Sequence, residues 1–245
     1  MLSSFILLME YQKFREVAQA YSQRFQFDPY YATLIPLLQK YLGNAQHVLE
    51  IGAANGHVPE LWDQARRESP EVSKPDNLIY HSVEPVEEAV AIARQKAAKM
   101  GFTYLPQVGT LFVAPDASSL QDKSLDGLVI SRAFHEMYLD YGKEGIALRR
   151  DLTSLLERKQ PGIFVYADVE PFFGLTFIET EKFRKIQENE IGHSHDPALD
   201  YLPLSFLMQI VAPLGYTLVE EEHLAKPVKG FDHSPWRFVL AVFKK

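Results

Sequence analysis

The chain of 245 residues is 47% hydrophobic, enough to bury one sizeable core, and carries a formal charge of −7. That charge opposes non-specific nucleic-acid binding, whose affinity comes mostly from Lys and Arg neutralising phosphates, and no basic stripe offsets it. With no cysteine, disulfides, thiolate zinc sites and a cysteine nucleophile are excluded together.

Residues 5–9 are apolar but far shorter than a membrane span, and no positive residue precedes them as a secretory signal requires. They read as the start of a mature soluble protein. No other stretch reaches spanning length, and there is no repeat or low-complexity tract. Tyr11, Phe14, Ala18, Tyr21 and Phe25 recur at the spacings of one helical face. Asp28-Pro29 interrupts, and a second helical pattern runs over residues 30–42 to Gly43. These helices form an N-terminal cap over residues 1–45, ahead of a domain spanning 46–245.

Residues 47–57 read HVLEIGAANGH: an apolar run, an acid, a turn of glycines and small residues, then a helix start. This order suits a parallel strand feeding a ligand-binding turn, with Gly52 able to take φ > 0 and Glu50 at the strand's carboxyl end. A dinucleotide fingerprint needs glycines two and five positions after the first, where this chain has Ala54 and His57. The stretch from Glu50 to Gly56 instead resembles motif I of class I S-adenosylmethionine-dependent methyltransferases, acid-x-Gly-x-Gly-x-Gly, with Ala54 replacing the middle glycine. The resemblance extends to the end of the chain. It implies cofactor contacts from Glu50, Gly52, Ala53 and Gly56, and a helical cap whose Tyr21, Tyr30 and Tyr31 touch the ligand.

A helix over 58–67 carries Pro59 in its first turn, and the polar stretch 69–77 is a surface connector. A second strand over 78–83 leads to Glu84-Pro85. An acid there either accepts hydrogen bonds from the vicinal hydroxyls of a ribose or caps the following helix; its place after a glycine turn favours ribose. The apolar face Val86, Ala89, Val90, Ala93, Ala97 and Met100 makes a helix ended by Gly101. Extended pieces over 102–114 lead to Asp116 and Ala117, which the resemblance places at the adenine amino group.

A fourth strand over 125–131 ends in Ser131, a further cofactor contact under the resemblance, and Arg132-Ala133-Phe134-His135-Glu136-Met137 follows. The aromatic-His-acid order here resembles many small-molecule methyltransferases. The chain lacks the Asp/Asn-Pro-Pro-aromatic tetrapeptide of enzymes that methylate adenine or glutamine nitrogen. His135 titrates near neutrality and is the candidate base or acceptor-orienting group, with a histidine packed under the cofactor as the competing reading. Glu136 orients it or begins the next helix. After a helix marked by Ile146, Leu148, Leu152, Leu155 and Leu156 comes a fifth strand over 163–167, with Asp168 in its exit.

Residues 172–202 read as a long irregular lid. His193 and His195 are substrate-binding candidates there, beside Asp196; in a loop without fixed backbone the three do not define a metal site, and no metal is expected. A helix over 203–212 and strands over 216–223 and 236–243 close the chain. The expected fold is α/β: a doubly wound, mostly parallel seven-stranded sheet with an antiparallel last strand, an N-terminal helical layer and a lid inserted after the fifth strand. The expected function is methyl transfer from S-adenosyl-L-methionine to a small-molecule acceptor, oxygen favoured. A protein or peptide methyltransferase and a non-catalytic cofactor-binding module remain open. Nucleic-acid and membrane partners are not expected; the chain is read as a cytoplasmic monomer or homodimer.

Overall fold

The computed structural model describes residues 29–68, 77–109, 125–140, 145–191 and 194–245. The helix read over 10–25, Tyr21, most of the 69–77 connector, Asp116, Ala117 and His193 lie outside them. Helix α1 (Pro29–Leu42) leads into strand β1 (His47–Ile51), α2 (His57–Glu68), β2 (Ile79–Glu84), α3 (Glu87–Ala97) and β3 (Thr103–Val108). Then come β4 (Gly127–Ser131), α4 (Phe134–Asp140), α5 (Ile146–Lys159), β5 (Ile163–Val169), α6 (Phe177–Ile191), α7 (Leu204–Val211), β6 (Thr217–Lys226) and β7 (Trp236–Lys244).

The sheet has seven strands in the order β3-β2-β1-β4-β5-β7-β6. Pairings among β1 to β5 are parallel, and β7 runs antiparallel to both β5 and β6. Parallel strands need crossovers, which lay helices on both faces and bury the strands on both sides. The near-continuous apolar runs of β4 and β5 follow from that. Alternate residues feed two cores. Val48, Val129, Val165 and Leu240 pack with Leu34 and Leu38 of α1 and Trp62 of α2. Leu49, Leu128, Phe164 and Val239 pack with Leu148, Leu152 and Leu155 of α5 and Leu207 and Ile210 of α7.

Two expectations are corrected. The fifth strand runs on to Val169, because Asp168 and Val169 pair with Val239 and Phe238 of β7; Asp168 is therefore part of the sheet. Residues 172–202 are not wholly irregular, since the 15-residue α6 lies inside them. It has no Gly or Pro, Thr176 and Glu179 cap its start reciprocally, and it fixes itself through the fully buried Phe183 and Gln187. No helix among the described residues is long and apolar enough to cross a membrane.

Candidate cofactor and acceptor site

Strands β1, β2, β4 and β5 end side by side, and the chain reverses direction in the order of strand connections between β1 and β4, where open α/β sheets bind ligands. The β1–α2 turn takes left-handed backbone at Gly52 (φ +74), Ala54 (φ +45) and Gly56 (φ +73). A Cβ on Gly52 would overlap the Cβ of Ala133 at the exit of β4, so this position requires glycine for packing as well as for φ.

Glu84 sits at the tip of β2 and is 7% exposed. Its Oε2 accepts from the Ala54 backbone N–H at 2.9 Å and its Oε1 from the Val86 N–H at 3.1 Å. The carboxylate clasps the turn and the start of α3 together, which is the helix-cap geometry. Each oxygen keeps lone-pair capacity for another donor. Burial pushes the Glu84 carboxyl up to about 7, against the two backbone hydrogen bonds that favour the charged form.

Glu50 is 1% exposed and accepts from the Tyr80 hydroxyl at 3.0 Å. Burial raises it to about 8. Pro85 is half-buried beside Glu84, and Ala53 is buried within the turn. Ser131 at the tip of β4 is tied to Tyr30, hydroxyl to hydroxyl at 2.8 Å, and the Tyr30 hydroxyl also lies 3.1 Å from the Ala167 carbonyl. Tyr30 is fully buried and pins α1 to β4 and β5. Tyr31 is 7% exposed and meets the His57 ring edge-on at 4.9 Å.

At the end of β5 the sequence reading missed Asp168. Fully buried at the end of β5, its Oδ2 accepts the Phe134 and His135 backbone N–H groups at 2.8 and 3.0 Å, while its Oδ1 lies 2.6 Å from His135 Nδ1 and accepts the Val169 N–H. It caps α4 and orients the first-turn histidine at once. The available signal was an acid closing a run of buried strand residues, where a carboxylate must find partners.

Burial by itself would lower the His135 pKa, but the Asp168 charge and hydrogen bond, helped by Glu136, outweigh it and hold the ring at about 10. The expectation of titration near neutrality is therefore corrected. His195 enters from the segment after α6 and places Nε2 3.2 Å from Glu136 Oε1. Its backbone N–H donates to Gln187 Oε1, and Gln187 donates to the Tyr201 hydroxyl. Tyr201 packs against both histidine rings at 5.2 and 5.6 Å. Asp196 turns elsewhere: one oxygen takes Arg184 and the other the Ala198 and Leu199 N–H groups. A polar cavity of about 390 Å³ lined by Arg184, Glu188 and Asp200 lies between α6 and the segment after it, with no strand-tip residue in its wall.

No protein-family model matches the sequence, and no curated protein matches it. Solved structures do. The CurJ carbon methyltransferase superposes with a TM-score of 0.59 at 14% identity over 91% of this chain, which spans 57% of that protein's length. A methyltransferase from Methanosarcina mazei gives 0.57 at 13% identity, covering 85% of this chain and 97% of that one. Magnesium protoporphyrin IX methyltransferase from Synechocystis, solved with S-adenosylhomocysteine, gives 0.55 at 13% identity, covering 88% and 82%. The chain has the class I, seven-stranded methyltransferase fold.

Proposed function

We propose that the protein transfers the methyl group of S-adenosyl-L-methionine to a small-molecule acceptor, with oxygen as the acceptor atom. The observation that carries this reading is Glu84, a buried carboxylate at the tip of β2 that grips the left-handed β1–α2 turn and keeps lone pairs for ribose hydroxyls. The bound sulfonium supplies an already electrophilic methyl. The chain's task is then to align acceptor and donor, and alignment alone can contribute about 7–11 kcal/mol. Gly52 and Ala53 let the cofactor's amino-acid portion approach the main chain. Asp168 fixes the imidazole of His135, which with Glu136 and His195 lines the acceptor side. An oxygen acceptor must lose its proton before or during transfer; the His135 ring, held charged by Asp168, orients and stabilises the developing oxyanion instead of taking that proton.

Titration calorimetry with S-adenosylhomocysteine tests the cofactor assignment. Glu84→Ala should weaken binding at least tenfold, and unchanged affinity would remove the ribose role. For the acceptor side, His135→Gln should lower kcat at saturating cofactor while leaving cofactor affinity intact, since Asp168 keeps three backbone donors and its burial site. Full turnover would leave His135 a packing role. A protein or peptide acceptor is the second reading, favoured by the exposed Phe173, Phe177 and Ile178 on the lid; turnover on peptides but not on small hydroxyl compounds would select it.

A further inference from the structure

We infer that His135, Glu136 and His195 form a binding site for one divalent transition-metal ion that holds the acceptor oxygen. Among the described residues these three bring their donor atoms within 4.8 Å of one another. Glu136 Oε1 lies 3.4 Å from His135 Nε2 and 3.2 Å from His195 Nε2. Ligand bonds of about 2.0–2.2 Å to one tetrahedral ion put neighbouring donors roughly 3.3–3.6 Å apart. The carboxylate-to-imidazole separation at His135 falls in that range and the one at His195 about 0.1 Å below it, and the remaining histidine-to-histidine gap needs at most about 1.5 Å of adjustment.

The surroundings are those of a built site. His135 and His195 are 8% and 4% exposed, the first in the opening turn of α4 and the second on the segment after α6, and Glu136 beside them is half-buried. Asp168 bonds the far nitrogen of His135, the carboxylate–histidine arrangement that fixes tautomer and aim in metal sites. Gln187 holds the backbone of His195, and Tyr201 fills the wall beside both rings. Two imidazoles and a carboxylate suit Zn²⁺, Fe²⁺, Co²⁺ or Ni²⁺, the ion displacing the Nε2 proton of His135 while Asp168 keeps the one on Nδ1, and three protein ligands leave coordination positions for an incoming oxygen. An ion there favours the ionised form of an acceptor hydroxyl. The ligand set stands on its own geometry; its use in acceptor activation rests on the methyl-transfer reading.

The test adds Co²⁺ to chelator-stripped protein and follows visible ligand-field bands together with calorimetric stoichiometry. One equivalent is expected to bind with bands of four- or five-coordination. Glu136→Gln and His195→Asn should each weaken binding by 100-fold or more, and Asp168→Asn by about 10–100-fold, with far-UV circular dichroism and S-adenosylhomocysteine binding retained in Glu136→Gln and His195→Asn. Absence of stoichiometric Co²⁺ binding, or binding unmoved by His195→Asn, overturns the site. Wild-type protein that binds S-adenosylhomocysteine but not Co²⁺ refutes the metal alone. Protein that binds Co²⁺ but not the nucleoside refutes the cofactor reading and leaves the metal standing.

Discussion

At the scale of single residues, the strand tips hold carboxyl groups that burial disfavours as anions. Glu50 has a folded pKa of about 8 against 4.5 for an unperturbed carboxyl. The folded state therefore prefers its neutral form, so this contribution to stability is fully present below about 4.5 and is lost as pH rises through about 8. Glu84, raised to about 7, acts in the same direction. Between pH 6 and 9 Glu50 should withdraw about 2–3 kcal/mol, and Glu50→Gln, which keeps an acceptor for Tyr80, should flatten that part of the profile in urea titrations. An unchanged slope would mean the carboxyl is wetter than its position implies. Gly52→Ala combines strained φ with overlap on Ala133, so a loss of about 2 kcal/mol or more is expected. Ala133→Gly in the same chain should recover part of it, and strict additivity would show that the overlap does not matter.

At the scale of elements, the sequence was legible where pattern and punctuation agree. The apolar runs of β1, β4 and β5, Pro59 inside α2 and Gly101 after α3 mark their own boundaries. Helix α6 was not legible, because its fixed points are one Phe and one Gln, and a buried Gln carries no hydrophobic period. Asp168 was misplaced for a related reason: a charged side chain reads as a strand exit unless its partners, backbone N–H groups and a histidine 33 residues away, are known. Tyr30 was read toward the ligand because aromatic residues on a cap serve both roles. Its hydroxyl joins α1 to the sheet. Tyr30→Phe should cost about 1–2 kcal/mol in chemical denaturation, reflecting acceptors left short of a donor in a dry site, with cofactor affinity held within twofold. A larger fall in affinity than in stability would return Tyr30 to the ligand.

At the scale of the whole molecule, strand order places the carboxyl ends of β2, β1, β4 and β5 along one edge, so one ligand lying there touches residues far apart in sequence. A ligand that binds only this assembled edge stabilises the native chain by about 2.7 kcal/mol at a hundredfold excess over its Kd. For a chain of this length each kcal/mol moves Tm by about 2–4 °C, so S-adenosylhomocysteine should raise Tm by about 5–11 °C. NAD should leave Tm unchanged, because the turn carries Ala54 and His57 where a dinucleotide site has glycine. Glu84→Ala should cut the S-adenosylhomocysteine shift by at least half at the same concentration. An equal shift with NAD would reassign the turn to dinucleotides, and no shift with either would leave the fold without the ligand its strand tips imply.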